Sequence, residues 1–286
     1  ISFYIIFLVT YMLYTLLFHP VLDYLNFQNL GVLLASGMAF LMGLSDDAYN
    51  TNPLLKFLVQ VACGMVLILT GTFISFFELP LFNYLLTIIW VVAVMNSINM
   101  LDNMDSITTV VSLFIIFCAI SVAWISPNFN HFFISSLIGI SGGLVGFLFF
   151  NWHPSKMFMG DTGSQFLGIV LATFGIIYFW NNQSVGGVEE AVSKQLIIVL
   201  LAFVIPISDT LTVIINRIRR GQSPFVGGKD HTTHHLSYLG LSDRNVAKIF
   251  SGICIVSFIL IYVIVNVFTV WDISYSLIFG SWFLIV

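Results

Sequence analysis

Residues Ile107-Thr-Thr-Val-Val-Ser-Leu-Phe-Ile-Ile-Phe-Cys-Ala-Ile-Ser-Val-Ala-Trp-Ile125 run for nineteen positions without a charged side chain. As a helix, at about 1.5 Å per residue, this run nearly matches the roughly 30 Å of bilayer hydrocarbon. It reads as a membrane helix, and similar runs lie to both sides, at 1–18, 30–45, 54–75, 81–98, 132–150, 165–180, 194–215, 247–267 and 273–286. The expected fold is therefore all-α, a polytopic transmembrane helix bundle of about ten spans. The bulk composition agrees. Of the 286 residues 59% are hydrophobic and 8% charged, where a soluble domain carries about a quarter charged residues. A mean hydropathy of +1.03, spread along the whole chain, predicts a single membrane-embedded domain over 1–286.

The breaks between runs carry turn chemistry: His19-Pro20, Asn52-Pro53, Leu79-Pro80, Ser126-Pro127-Asn128, His153-Pro154 and the Asn/Gly/Ser-rich stretch 181–188. Cys63, Cys118 and Cys254 sit inside apolar runs with no C-x-x-C spacing, which argues against both a disulfide framework and a zinc site. With no basic tract, nothing points to nucleic acid. The sequence starts at Ile1 and ends inside the apolar run Trp282-Phe-Leu-Ile-Val286, so a fragment of a longer chain is expected.

Successive spans alternate direction, so parity assigns the loops to faces. Loops 46–53, 99–106, 151–164 and 216–246 share one face; 19–29, 76–80, 126–131, 181–193 and 268–272 share the other. Eight of the nine Lys and Arg residues, Lys56, Lys156, Arg217, Arg219, Arg220, Lys229, Arg244 and Lys248, lie in or beside the first set, and only Lys194 in the second. The positive-inside rule makes the first face cytoplasmic.

The chemistry-bearing residues gather on that face. Asp46 and Asp47 end the second run, where paired carboxylates are costly unless they meet water, a cation or a substrate. Lys56 either faces the same pocket or snorkels to the interface. In Asn96-Ser-Ile-Asn99-Met-Leu-Asp102-Asn-Met-Asp105 the spacing of three stacks oxygens on one helical face, although the same residues also suit a helix end and the next cap. Asn151-Trp-His-Pro-Ser-Lys156-Met-Phe-Met-Gly160-Asp161-Thr-Gly163-Ser164 precedes a helix expected to start near Gln165. Amides at such a start bind phosphate oxygens and Asp161 can hold a divalent cation, but Gly-Asp-Thr-Gly-Ser also makes an ordinary capped turn. His153 reads as an interfacial side chain. The last loop collects Arg217, Arg219, Arg220, Lys229, Asp230, His231, His234 and His235, a set suited to a metal or to anionic phosphates. Five Asp in three loops, without thiolates, favour phosphate-bound Mg²⁺ over zinc.

With these residues placed, the sequence resembles the polyprenyl-phosphate N-acetylhexosamine-1-phosphate transferases, which include the phospho-MurNAc-pentapeptide translocase and the GlcNAc-1-phosphate transferases of bacterial surface glycans. Four ordered motifs carry the resemblance: Gly43-Leu-Ser-Asp-Asp47, Asn96-x-x-Asn99-x-x-Asp102-x-x-Asp105, Phe158-Met-Gly-Asp-Thr-Gly-Ser164 and the His234-His-Leu236 loop. The resemblance implies eleven spans in the family, so the first span is expected to be missing here. It also implies transfer of N-acetylhexosamine-1-phosphate, of the GlcNAc type, from a UDP-sugar to a polyprenyl phosphate with release of UMP. Asp161 would bind Mg²⁺, with Mn²⁺ able to substitute, while Asp46 and Asp47 would handle the lipid phosphate or the metal. Asn99, Asp102 and Asp105 would line the nucleotide site, Phe158 would stack on uracil, and His234 and His235 would contact phosphate. Lys56 and Asn151 are counted with these as substrate-binding positions. The implied setting is the bacterial inner membrane, in a step of cell-wall polysaccharide synthesis, and a homodimer is compatible with it. The chain departs from the family at Asp102-Asn-Met-Asp105-Ser106, where Asp-Gly-x-Asp-Gly is usual, and in the spacing of His231 from the His pair.

A transporter is the competing class, with Asp209 as the acidic residue well inside a span. Cysteines placed in loops 46–53, 99–106, 151–164 and 216–246 are expected to react only with reagents that reach the cytoplasm. Labelling of any one of them from outside would break the shared-face assignment.

Overall fold

The computed structural model describes residues 1–18, 26–125, 130–182, 191–222, 231–268 and 270–286. The turns expected at His19-Pro20 and Ser126-Pro127-Asn128, residues 183–188 of the Asn/Gly/Ser-rich stretch and the segment 223–230 lie outside those residues. Among the described residues every regular element is helical. In chain order they are α1 (Ser2–Phe18), α2 (Phe27–Tyr49), α3 (Pro53–Leu69), α4 (Pro80–Leu101), α5 (Ile107–Ile125), α6 (His131–Asn151), α7 (Gly160–Gly175), α8 (Val192–Ala202), α9 (Val204–Arg219), α10 (Thr232–Tyr238), α11 (Asp243–Asn266) and α12 (Ile273–Ile285). A π-helical turn, Ile176–Trp180, prolongs α7.

The span count needs correcting. Each of the ten apolar runs is helical, but six helices are long and apolar enough to cross a membrane, or seven if α8 and α9 form one broken span. Helices α1, α3 and α12 are apolar but shorter. The run expected at 194–215 is not one rod: α8 and α9 meet at a 79° bend. Likewise the run 54–75 stops being helical at Leu69, two residues before Gly71 takes φ +87°.

Helix α7 lies at the centre, with 94% of its spanning window buried. It packs chiefly on α2 and α4, and its glycines explain how closely. A Cβ on Gly168 would come 2.7 Å from Met95 Cα, and one on Gly43 would come 2.4 Å from the carbonyl oxygen of Asp161. Backbones therefore nearly touch on both sides of α7, the small-residue packing expected where lipid supplies no hydrophobic drive between helices. Trp90 on α4 adds a hydrogen bond from Nε1 to the Ala172 carbonyl at 3.0 Å. Outward faces of the bundle carry exposed Leu, Ile and Phe, among them Leu69, Phe149 and Leu284.

Polar contacts sort the loops by end, in agreement with the parity reading. At one end Lys56 meets Asp161, Asn99 meets Asp161, His153 meets Asp105 and Thr233 meets Asn103. At the other, Asn181 holds Phe73 and Ser75, Gln195 holds Asn182, and Lys194 donates to the Phe268 carbonyl at 3.1 Å. Lys194, the exception to the charge bias, is thus a buried structural lysine.

Replacing Gly168 with Leu is expected to overpack the α4–α7 contact at a cost of about 1–3 kcal/mol, seen as a lower melting temperature in detergent. An unchanged melting curve would mean that these helices have room to separate.

Candidate active site

The end of α2 and the start of α7 form one unit. Asp47 reaches across and accepts hydrogen bonds from the N–H of Asp161 (2.8 Å) and of Thr162 (2.9 Å), and from the Thr162 hydroxyl. Helix α7 begins at Gly160, five residues earlier than expected from the sequence, because this carboxylate caps it from a neighbouring helix; Met159, its own N-cap residue, makes no side-chain cap. The expectation that the amides of this turn stand free for phosphate is corrected accordingly. Two of them hold Asp47. Gly160 permits the approach, with φ +68° and a position where a Cβ would sit 3.0 Å from the Asp47 carboxylate.

Asp161, fixed in the first turn of α7, faces Lys56 and Asn99. Lys56 Nζ lies 2.9 Å from Asp161 Oδ2 and also salt-bridges Asp46 Oδ2, so one ammonium joins two carboxylates from separate helices. Lys56 therefore faces the pocket. Asn99 Nδ2 donates to Asp161 Oδ1 at 3.2 Å. The other oxygen of Asp46 accepts from the Thr51 N–H (2.9 Å) and hydroxyl (2.6 Å), which holds it in its rotamer. Beneath this cluster Gln60 bonds Asn96 and Gln165. Gln60 and Gln165 each lie about one turn beyond a site residue, Lys56 and Asp161, a spacing of four that the sequence reading passed over. Asn96 belongs to this polar floor and not to the Asp161 contact itself.

A second group surrounds Asp105. Its Oδ2 takes the N–H of Ser155 (3.0 Å) and lies 2.9 Å from His153 Nδ1, which is itself 3.8 Å from Asp243 Oδ2 at the start of α11. His153 is thus more than an interfacial ring: it ties the α6–α7 loop to the α4–α5 loop and to α11. The sequence offered only its neighbourhood to Pro154 and Asn151 as a signal. Asn151, buried, receives the Ser106 N–H and Thr109 hydroxyl and donates to the Met157 carbonyl and towards Ser155 Oγ. Its amide is engaged by protein on both ends. Ser106 stands where the family usually has glycine, and keeps the glycine-like φ of +63°; its hydroxyl bond to the Asp105 carbonyl and the Asn151 clamp hold a conformation that costs an L residue roughly 1–2 kcal/mol.

Asp102 lies between these groups. Burial, with the negative charges of Asp161 and Asp47 adding to it, raises its carboxyl from 3.8 to about 6. Phe158, 77% exposed, leaves its ring face available and borders a cavity of about 580 Å³ floored by Gly142 and Gly146 of α6. In the fourth loop, His234 and His235 lie in α10, and the His235 Nε2 is buried without a hydrogen-bond partner among the described residues. Lys229 and Asp230 of that loop fall outside the described residues.

The model of glycosyl transferase family 4 matches residues 29–179, which run from α2 through the π turn and include the Asp46, Asp102 and Asp161 motifs. The chain belongs to that family. Among curated proteins, this family 4 chain is 33% identical over 213 residues to a "probable undecaprenyl-phosphate N-acetylglucosaminyl 1-phosphate transferase" of Bacillus subtilis, covering 71% of this chain and 56% of that protein. It is 28% identical over 248 residues to a "decaprenyl-phosphate N-acetylglucosaminephosphotransferase" of Mycolicibacterium smegmatis, covering 79% and 61%. To a "phospho-N-acetylmuramoyl-pentapeptide-transferase" of Nautilia profundicola it is 28% identical over 262 residues, covering 82% and 68%. The resemblance drawn from the four motifs is met, while the chain spans little more than half the length of the first of these relatives.

Because the folded state raises the Asp102 pKa, it favours the neutral acid. The cost is absent below pH 4, grows between pH 4 and 6, and is complete above 6. Asp102→Asn is therefore expected to raise the melting temperature at pH 7.5 and leave it unchanged near pH 4. An equal gain at both values would show that the charge is not the burden.

Proposed function

We propose that this protein transfers N-acetylhexosamine-1-phosphate, most simply GlcNAc-1-phosphate, from a UDP-sugar to a polyprenyl phosphate, releasing UMP. The observation that carries this reading is the Asp46–Lys56–Asp161 bridge, in which carboxylates from two helices converge on one cationic position. Opposed carboxylates around a cation suit chemistry on a diphosphate, where charge must be neutralised as the bond to the leaving phosphate breaks. The names of the GlcNAc-phosphotransferase relatives point to the same lipid acceptors.

The donor set fits a hard divalent cation: Asp161 and Asp46 offer carboxylate oxygens, and among the described residues no thiolate stands beside them. Bound there, Mg²⁺ or Mn²⁺ would offset the charge of the diphosphate oxygens. The chain's own residues do the rest. Asp47 anchors the turn that aims Asp161, and Lys56 supplies a positive charge beside the reacting phosphates. Asp102 and Asp105 edge the sugar-nucleotide side, and the exposed Phe158 ring offers a stacking face for uracil. Asn151 contributes by holding the loop that carries Phe158. His234 and His235 bring donors to the phosphates, consistent with the unpartnered Nε2 of His235.

The acceptor phosphate monoester has its second pKa near 6 and is largely dianionic at neutral pH. It is already a competent nucleophile, so a single direct displacement suffices and neither Asp46 nor Asp47 has to form a covalent intermediate. The Lys/Arg bias supports placing this site on the cytoplasmic side of a bacterial inner membrane, and a homodimer is compatible with that placement. The transporter reading loses its main support, since Asp209 lies beyond the α8–α9 bend and bonds to the fourth loop.

Membranes containing the protein are expected to move label from UDP-[³H]GlcNAc into organic-extractable lipid in a Mg²⁺-dependent manner. Asp161→Asn should weaken the metal dependence while leaving the melting temperature within a few degrees. Label incorporated without metal, or UMP exchange into UDP-GlcNAc with the lipid acceptor withheld, would overturn respectively the cation and the single displacement.

A further inference from the structure

Asp209 is a carboxylate only 2% exposed in a helix that the reaction scheme leaves unused. Its surroundings are specific. Asp209 Oδ2 lies 2.9 Å from His231 Nδ1, and Oδ1 accepts the N–H of Thr232 at 2.7 Å. His231 occupies the N-cap position of α10 in extended conformation and makes no side-chain cap of its own, so Asp209 caps that helix from α9. The next residue, Thr233, is fully buried and donates its hydroxyl to Asn103 Oδ1 at 2.7 Å; Asn103 adjoins Asp102 of the nucleotide side.

The base under this arrangement is rigid. Helix α9 is fastened to α4 by the Ser97 hydroxyl on the Pro206 carbonyl (2.8 Å) and by Thr210 on Ser97 (2.9 Å). The bend of 79° after α8 turns α9 so that Asp209 meets the fourth loop. Beyond the anchor come the rings: His231 and His234 have centroids 6.0 Å apart, and His235 lies on the same seven-residue helix.

We propose that Asp209 is a positioning residue of the transfer reaction. Its carboxylate fixes His231 through Nδ1, leaving Nε2 as the ring's working nitrogen, and seats α10 so that His234 and His235 meet the phosphates. A carboxylate behind a histidine sets which ring nitrogen carries the proton and which way the ring faces. Two independent bonds from one side chain, one to the ring and one to the helix start, tie ring orientation and helix position together. The proposal rests on the transferase reading.

The test uses the full protein in detergent with UDP-GlcNAc, Mg²⁺ and a polyprenyl phosphate. Asp209→Asn keeps the size and an acceptor for Thr232 but presents an N–H to His231 Nδ1, so the ring must reverse its tautomer. The expected result is a fall in kcat of roughly 10–100-fold, with KM for UDP-GlcNAc changed by less than about threefold and the melting temperature nearly kept. Asp209→Glu, which retains the charge, should recover part of the loss. His231→Gln reads the same contact from its other side, so the double variant Asp209→Asn/His231→Gln should be no slower than His231→Gln alone. Wild-type kcat in Asp209→Asn, a loss confined to KM, or losses that multiply in the double variant would each overturn the positioning role. Should Asp209→Asn not fold, His231→Gln with full kcat would overturn it equally. Absence of label transfer in the wild type would instead refute the transferase reading itself.

Discussion

The site depends on a carboxylate that caps a helix to which it does not belong. Asp47 ends α2 but satisfies the first amides of α7, and such an anion at a helix N-terminus contributes on the order of 1 kcal/mol through hydrogen bonds and the helix dipole. Its structural effect is larger than that figure suggests. With Gly43 admitting the Asp161 backbone and Gly160 admitting the Asp47 carboxylate, the two helices lock in one relative height. Asp161 then meets Lys56 and Asn99, and Lys56 meets Asp46. Replacing either glycine would shift Asp161 away from Lys56 and Asn99.

Much of this was legible in the sequence. The periodicity of apolar runs and the bias of Lys and Arg brought the loops to one end, and the structure joins them through side-chain bonds between residues far apart in the chain. The motifs picked out carboxylates that the fold brings together, Asp46 and Asp161 on Lys56 and Asp47 on the start of the helix that carries Asp161. What the sequence could not convey was division of labour. Asp46 and Asp47 are neighbours of equal chemistry, yet one faces Lys56 and the other a helix start, because successive residues on a helix point about 100° apart. Asn151 reads as a polar residue before a glycine-rich turn, but only the fold reveals that its amide is taken up by four protein groups.

The remaining differences arise where local pattern and tertiary context compete. Apolar content predicted an unbroken span over 194–215, and nothing in Leu201-Ala-Phe-Val-Ile-Pro206 except the proline signals a sharp bend. That bend turns Asp209 from an isolated membrane charge into the partner of His231. Ser106 holds a backbone angle better suited to glycine because Asn151 and its own hydroxyl secure it, so the departure in sequence leaves the turn intact. The parity argument survived the shorter helices, since it counts reversals of direction and not lengths.

Lys56 gives the carboxylate cluster an internal counter-ion. Two carboxylates from α2 and α7 that would otherwise repel are held together by one ammonium on a flexible tether. Under the proposed function Asp46 and Asp161 would hold a divalent cation that offsets diphosphate charge, and Lys56, tethered beside both, would add its ammonium to the same phosphates. One lysine would in that way serve both as the counter-ion that keeps two helices together and as a cation for the diphosphate.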